Sequence, residues 1–176
     1  MGNIESAPTR TGHSLLAKLF HWGFALLFIY GVIKQVDDIN QLEDFALLRF
    51  EVMFAAAFLL LLAVRFIYMT KTQKSSLPDN TSHYQKLAAK IVHLGMYVTF
   101  AAIAGTGLLI GLFFWLGLKN GFLIDVTIGI HGFSVTLIYW LIAVHVVAAI
   151  YHRFKRDGVW SSMVPLWKEP DKSHNS

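Results

Sequence analysis

The chain contains four long apolar segments that are separated by short polar linkers. The segments cover about residues 15–36, 45–69, 87–116 and 122–152. A helix needs roughly 20 apolar residues to cross the hydrocarbon core of a bilayer. Within lipid, only helices and closed barrels satisfy their own backbone hydrogen bonds. The sequence therefore predicts an all-α membrane protein, a four-transmembrane-helix bundle that forms a single domain over residues 1–176.

Basic residues concentrate on one side of this predicted bundle. That side carries Arg10, Lys18, Lys71, Lys74, Lys86, Lys90, Arg153, Lys155, Arg156, Lys168 and Lys172. The other side has only Lys34, Arg49 and Lys119, set among acidic residues. Because loops rich in lysine and arginine stay inside, both termini are predicted to be cytoplasmic. The net charge of +4 therefore indicates membrane orientation and not binding to nucleic acid.

Five histidines lie in or beside the apolar segments. His21 and His145 lie several residues from the cytoplasmic ends of the first and fourth spans, and His93 has a similar depth in the third. His131 lies near the outer end of the fourth span, and His152 lies at its inner boundary. An interhelical hydrogen bond can explain any single one of them. Two rings at matched depth on different helices indicate a functional interior instead, because polar groups are costly in hydrocarbon.

Two neutral imidazoles at one level can bind a metal or the iron of a haem. The chain has no cysteine, and zinc usually takes four ligands. Haem needs only two axial ligands, and a bundle lined by Phe24, Phe28, Tyr97 and Tyr139 suits its flat apolar ring. Ligation by two histidines leaves iron no open position, which favours electron transfer. A haem-free protein that relays protons or binds a transition metal is the alternative.

The spacing of His131 and His145 indicates a second level. Fourteen residues are close to four helical turns, so both rings project from one face, roughly 21 Å apart. That arrangement is typical of two stacked haem sites that form an electron path across the bilayer.

Motifs along most of the chain carry a resemblance. They are LFHWGF near the start, AVRFIY in the second span, HLGMYVTFAAIAGTGLL in the third and HGFSVTLIYWLIAVHVVAAIYHRF in the fourth. Over about residues 13–167 the chain resembles the bacterial cytochrome b561 family, which includes hydrogenase-type cytochrome b subunits. The resemblance implies a multi-pass protein of the bacterial inner membrane that binds haem b. The family's inner ligands match His21 and His145, and one outer ligand matches His131.

The second outer ligand of the family has no counterpart here. Glu51, fourteen residues before Arg65, stands where the resemblance implies a histidine. The outer haem is absent in one interpretation, which leaves His131 hydrogen-bonded, for example to Glu51. In a second interpretation, His131 binds the outer haem together with Glu51 or Met53, or the coordination position opposite His131 stays open. In a third, the other ligand comes from elsewhere, including a partner subunit.

Arg65 is a second costly residue, near the cytoplasmic end of the second span. It either extends to the lipid headgroups or pairs with a haem propionate, which suits guanidinium geometry. Lys90, His93, His152 and Arg153 are further candidates for that role. In the resembling family the histidine that matches His93 is not an axial ligand, so we interpret His93 as a propionate partner or reserve ligand.

These features favour a haem cytochrome that transfers electrons between the quinone pool and a redox partner protein. Its cofactor is one haem b, with a second in question because of Glu51. A haem-bearing membrane anchor of a larger dehydrogenase or hydrogenase is an alternative, and so is a quinone-coupled superoxide oxidase that attracts its anion through Lys119. The acidic outer loops oppose the last of these. Whether the protein is itself an enzyme is left open by the sequence.

Overall fold

Four long helices make up the bundle. The computed structural model describes residues 13–72, 77–78 and 81–167. In chain order the elements are α1 (Leu15–Ile33), a short 3₁₀ helix (Ile39–Glu43), α2 (Phe45–Thr72), α3 (His83–Trp115), α4 (Phe122–Lys155) and α5 (Val159–Met163). Helices α1 to α4 are long and apolar enough to cross a membrane, and the described residues contain no strand. The predicted all-α membrane fold is confirmed.

Serine caps mark where α1 and α3 begin. The Ser14 hydroxyl accepts a hydrogen bond from the Ala17 amide before α1, and the Ser82 hydroxyl accepts one from the Gln85 amide before α3. Such caps satisfy amide groups that a helix start leaves unpaired. Ser82 therefore allows α3 to begin at His83, before the apolar segment predicted from residue 87. Apolar patterning also misses the last turn of α4, because that turn is polar and extends to Lys155.

Helix α3 is the centre of the bundle. It packs along both α2 and α4, and α1 packs along α2. Direct backbone contact between α1 and α4 is slight among the described residues. We call the end of the bundle where α1 and α3 begin and α2 and α4 end the basic end. The described contacts between α1 and α4 are therefore made mainly by side chains, such as His21 and His145.

An aromatic cluster of Phe24, Phe58 and Phe100 joins α1, α2 and α3. Their ring centroids are 4.6 Å (Phe24–Phe58), 5.1 Å (Phe24–Phe100) and 5.6 Å (Phe58–Phe100) apart. Ile138 of α4, which is fully buried, closes the cluster. Aromatic pairs in such tilted geometries contribute about 0.5–1.5 kcal/mol each beyond their burial. The cluster therefore sets the position of α1, which has the fewest other contacts.

A short C-terminal segment, which the sequence did not predict, folds back onto α1. This C-terminal strap, residues 156–167, begins with left-handed backbone at Arg156 (φ 52°) and Gly158 (φ 85°) and contains α5. The Trp22 indole donates a hydrogen bond to the Met163 carbonyl at 3.2 Å. Lys18 Nζ donates one to the Ser161 carbonyl at 3.4 Å. The strap thereby ties the end of α4 to the beginning of α1.

Asp157 holds the turn that starts the strap. Its carboxylate lies 2.7 Å from His152 Nδ1 and 3.6 Å from Lys155 Nζ, and it accepts a hydrogen bond from the Val159 amide at 3.3 Å. Burial raises the pKa of Asp157, but the His152 hydrogen bond, the Val159 amide and the nearby charges of His152 and Lys155 together lower the pKa below its ordinary value. The ionised form of Asp157 therefore stabilises the strap.

Replacing Gly111 by alanine should weaken the contact between α2 and α3. A Cβ atom there would overlap Cγ2 of Val52, and such overpacking typically costs about 1–3 kcal/mol. Denaturant unfolding in detergent, followed by circular dichroism, measures the change. Gly105→Ala on the same helix is the matched control, because a Cβ atom there meets nothing within 4 Å. Equal stability of the two variants would contradict the packing described here.

Asp157→Asn should release the C-terminal strap without unfolding the bundle, because it removes the ion pair at the turn. Amide hydrogen exchange of residues 159–163 measures the release, and Asp37→Asn in the α1–α2 connection is the control. Since the pKa of Asp157 is lowered from 3.8, strap protection should hold above that pH and fall as pH drops through the folded-state pKa. Protection that stays constant in Asp157→Asn would count against the role of this turn.

Candidate functional site

Three predicted histidines meet at the basic end of the bundle. The ring centroids of His21 and His145 are 6.3 Å apart, and those of His93 and His145 are 5.1 Å apart. They come from α1, α4 and α3 in that order, so three helices converge here. We call these three side chains the histidine cluster. The sequence placed the rings at a common depth, and the structure shows that they also face one another.

Local packing positions the cluster. Phe24 lies three residues after His21, on the neighbouring part of the same helical face, and it is held in the aromatic cluster. Gly95 lies two residues after His93, and a Cβ atom there would be 3.5 Å from Leu141, four residues before His145. A glycine at a helix contact allows the two backbones to approach closely. The aromatic cluster thus fixes α1, and Gly95 fixes the approach of α3 to α4.

Ring separation distinguishes the two histidine pairs. A metal–imidazole bond is about 2 Å long, and the ring centre lies about 1 Å beyond the nitrogen. Two imidazoles on opposite sides of one metal atom therefore have centroids about 6 Å apart. The 6.3 Å between His21 and His145 fits this arrangement, whereas the 5.1 Å between His93 and His145 is too short. The residues present thus fit a haem held by His21 and His145.

Hydrogen bonds set the tautomers of two rings in the cluster. His93 Nδ1 lies 2.7 Å from the Ala89 carbonyl, so it carries the proton and leaves the lone pair on Nε2. His21 Nδ1 lies 2.7 Å from Arg65 Nη2. A guanidinium only donates, so His21 accepts through Nδ1 and a neutral ring then has its proton on Nε2. The two histidines therefore hold opposite tautomers in the structure.

Arg65 contacts the cluster from α2. Its Cζ atom lies 5.4 Å from the Phe24 ring centroid and 5.6 Å from that of Tyr97. Its Nε atom is buried and has no hydrogen-bond partner. Among the described residues, no carboxylate lies within ion-pair distance of it. Of the two predicted alternatives, the inward contact with His21 disfavours extension to the headgroups and leaves an anion-binding guanidinium beside the cluster.

His131 lies apart from the cluster and is held by α3. Its Nδ1 is 2.9 Å from Thr106 Oγ1, and that hydroxyl donates to the Ala102 carbonyl at 2.6 Å. The Thr106 oxygen therefore accepts the proton of His131 Nδ1. The suggested hydrogen bond with Glu51 is not formed. The polar group that faces Nδ1 of His131 therefore comes from α3 and not from α2.

The two α2 candidates for a second outer ligand face elsewhere. Glu51 lines a groove between α1 and α2 together with Tyr30 and Lys34. Met53 is 61% exposed on the outer surface of the bundle. A Cβ atom at Gly107 would lie near both His131 and Ala55, so Ala55 is the α2 side chain on that side. The described residues of α2 therefore bring no ligating side chain to His131.

Two further predicted residues have other partners. His152 is bonded to Asp157 in the turn that starts the strap, outside the histidine cluster. Lys119 Nζ lies 3.0 Å from Glu43 and 5.8 Å from the Phe114 ring centroid. Glu43 thus offsets the positive charge that Lys119 would present to an anion, which disfavours the superoxide alternative.

Sequence reasoning missed the residues that support the site. Thr106 and Trp22 carry no signal beyond ordinary helix positions, because a hydroxyl or an indole reveals its partner only in three dimensions. Asp157 and Gly158 did carry one, since an Asp-Gly pair after a helix predicts a turn. That turn starts the segment that reaches Trp22, the neighbour of His21.

The donor set also bears on the haem-free alternative. In the part of the chain that the structure describes, no group of three or more His, Cys, Asp or Glu side chains is placed to hold a metal ion. A haem needs only two, since the porphyrin supplies four ligands. The described geometry therefore disfavours a bare metal centre and is compatible with a haem.

Comparison with known proteins gives the family. No curated protein and no solved structure matches the chain. The family model of prokaryotic cytochrome b561 matches residues 12–166, which include the histidine cluster, Arg65 and His131. The matched residues make up most of the 176-residue chain. The chain therefore belongs to the prokaryotic cytochrome b561 family, whose members are membrane b-type haem proteins that transfer electrons.

Proposed function

We propose that this protein binds one haem b between His21 and His145 and transfers electrons between the membrane quinone pool and a redox partner protein. The observation that carries the proposal is the 6.3 Å separation of the two rings across α1 and α4. When bound, the haem supplies one-electron redox chemistry. Two histidine ligands leave iron no position for substrate, so the protein is better suited to electron transfer than to catalysis at the metal.

Different residues of the chain would bind different parts of the haem. His21 and His145 would hold the haem iron through ring nitrogens, and Arg65 would supply positive charge for a propionate carboxylate. His93 carries its lone pair on Nε2 and lies beside His145, so it is placed to accept a hydrogen bond near the cofactor. The aromatic cluster and Tyr97 exclude water on the side towards the bundle core. A low-dielectric wall of this kind helps to set the reduction potential.

The opposite end of the bundle supports a single cofactor. His131 is hydrogen-bonded to Thr106, and α2 brings Ala55 and no ligating side chain to that side. A second haem would need a ligand from outside the described residues. We therefore propose one haem per chain, at the basic end, with His131 as a structural residue that joins α3 and α4.

Charge supports the placement of this haem relative to the membrane. The basic residues at the His21 end favour the cytoplasmic side of a bacterial inner membrane. Both termini are then cytoplasmic, and the haem lies nearer that surface. Quinone in the bilayer and a redox protein on one surface are the partners that this depth favours. A haem-bearing anchor for a larger dehydrogenase or hydrogenase uses the same site and differs only in the partner.

His21→Ala and His145→Ala should each abolish the low-spin haem signal, because each removes one of two axial ligands. His131→Ala should keep it, because His131 lies apart from the histidine cluster. Absorption spectra of the reduced, purified proteins measure the α and β bands. Normal low-spin spectra in both of the first two variants would exclude the assigned ligands.

Purified wild-type protein should contain one haem per chain. Pyridine haemochrome absorbance against protein concentration gives this ratio, and iron analysis checks it independently. Two haems per chain would show that His131 has a ligand partner that the described residues do not provide. A colourless preparation after expression with ample haem would exclude the haem proposal altogether.

A further inference from the structure

We infer that Arg65 exchanges partners when the cofactor binds: it leaves Nδ1 of His21 and takes up a carboxylate of the porphyrin, so that one residue couples propionate binding to iron ligation. This inference rests on the proposed haem function. It concerns a positioning role for Arg65, since Arg65 acts on iron ligation only through His21. It follows from the direction of one hydrogen bond and from one buried atom without a partner.

The hydrogen bond between Arg65 and His21 is incompatible with ligation through Nε2. Arg65 Nη2 is 2.7 Å from His21 Nδ1 and can only donate. A histidine that binds iron through Nε2 has its lone pair there and its proton on Nδ1. Arg65 Nη2 and His21 Nδ1 would then both be donors at hydrogen-bond distance. Arg65 therefore has to move away before His21 can ligate, or the ring has to turn and break the same bond.

Arg65 needs an anion wherever it moves within the bundle. Its Nε atom is already buried without a partner, and a charged group in an apolar interior is costly unless it is paired. No described carboxylate lies within ion-pair distance of it. Glu51, the one acidic side chain of α2, lies fourteen residues away, roughly 21 Å along the helix. Because the described residues leave no carboxylate to pair with it, we assign the partner of Arg65 to the cofactor.

His93 shows that this arrangement is specific to His21. Its Nδ1 already donates to the Ala89 carbonyl, one turn earlier in α3. No cation holds its ring in the opposite tautomer. Of the two rings whose hydrogen bonds are defined, only His21 requires an exchange before it can bind iron through Nε2.

The exchange has a measurable consequence. In the free chain the Arg65–His21 bond stabilises a ring state that cannot ligate, so it opposes binding. A porphyrin with free carboxylates offsets that cost by giving Arg65 a new partner. A porphyrin whose carboxylates are esterified cannot do so. By linkage, affinity for the carboxylate and affinity for the axial nitrogen rise or fall together.

The test compares haem with haem dimethyl ester on the full chain freed of haem and held in detergent. Each is titrated into wild type, Arg65→Met and Arg65→Lys, and into Arg49→Met as the matched control. Arg49 is an exposed arginine on the same helix, at the opposite end. The dissociation constant and the low-spin absorption are measured, and neither depends on electron-transfer activity.

Wild type and Arg49→Met should bind haem more tightly than the ester, on the order of tenfold. Arg65→Met should bind both alike, and it should bind the ester more tightly than wild type does, because His21 is no longer held in the wrong tautomer. Arg65→Lys should keep the preference for haem, since its charge still attracts a carboxylate. If Arg65 only formed an ion pair with the haem and did not release His21, Arg65→Met would gain no affinity for the ester. If the substitution only loosened the packing, Arg65→Met would lose affinity for both ligands.

Two results would overturn the inference. The first is equal affinity of wild type for haem and its ester, and the second is no gain in ester affinity in Arg65→Met. Either can occur while wild type shows a normal low-spin spectrum with haem, so the inference can fail while the proposed function stands. Absence of a low-spin spectrum in wild type would instead reject the proposed function.

Discussion

The contact of Phe24 with Phe58 and Phe100 is the interaction on which the rest of the structure depends. Helix α1 has little backbone contact with α4, so these rings are what hold it at a defined height against α2 and α3. His21 is one turn from Phe24. Its distance from His145 is therefore set by a packed aromatic core and not by a direct helix–helix contact. Contact between α1 and α4 is therefore made mainly by side chains.

A charged arginine beside His21 explains much of the local chemistry. Arg65 is held over the rings of Phe24 and Tyr97 and bonds His21, yet part of its guanidinium is unpaired. In a low-dielectric interior this favours a bound anion strongly. The same contact selects the tautomer of His21. The charge of Arg65 and the tautomer of His21 are therefore linked by one hydrogen bond.

The two ends of the bundle differ in chemistry although both contain a histidine of α4. At the basic end, His145 faces rings from two other helices, and the Arg65 guanidinium bonds one of these rings. At the opposite end, His131 faces a threonine hydroxyl that accepts its Nδ1 proton, and an alanine of α2 lies on that side. The C-terminal strap adds to this asymmetry, because it ties Trp22, next to His21, to the chain after α4. Among the described residues, only the basic end combines several histidines, a buried guanidinium and the contact with the strap.

The sequence by itself determined the number of spans, the helical class and the depth of each histidine, because span length and burial are one-dimensional properties of apolar runs. It could also place His21 and His145 at one level. Only the tertiary structure decided that His131 bonds Thr106 and not Glu51, since the direction of a side chain depends on helix rotation, which a spacing of residues does not fix. The strap was likewise missed because its bonds join Trp22 and Lys18 to carbonyl groups more than 140 residues away. Every residue has a backbone carbonyl, so the sequence does not show which carbonyl accepts a hydrogen bond, and only the tertiary structure reveals it.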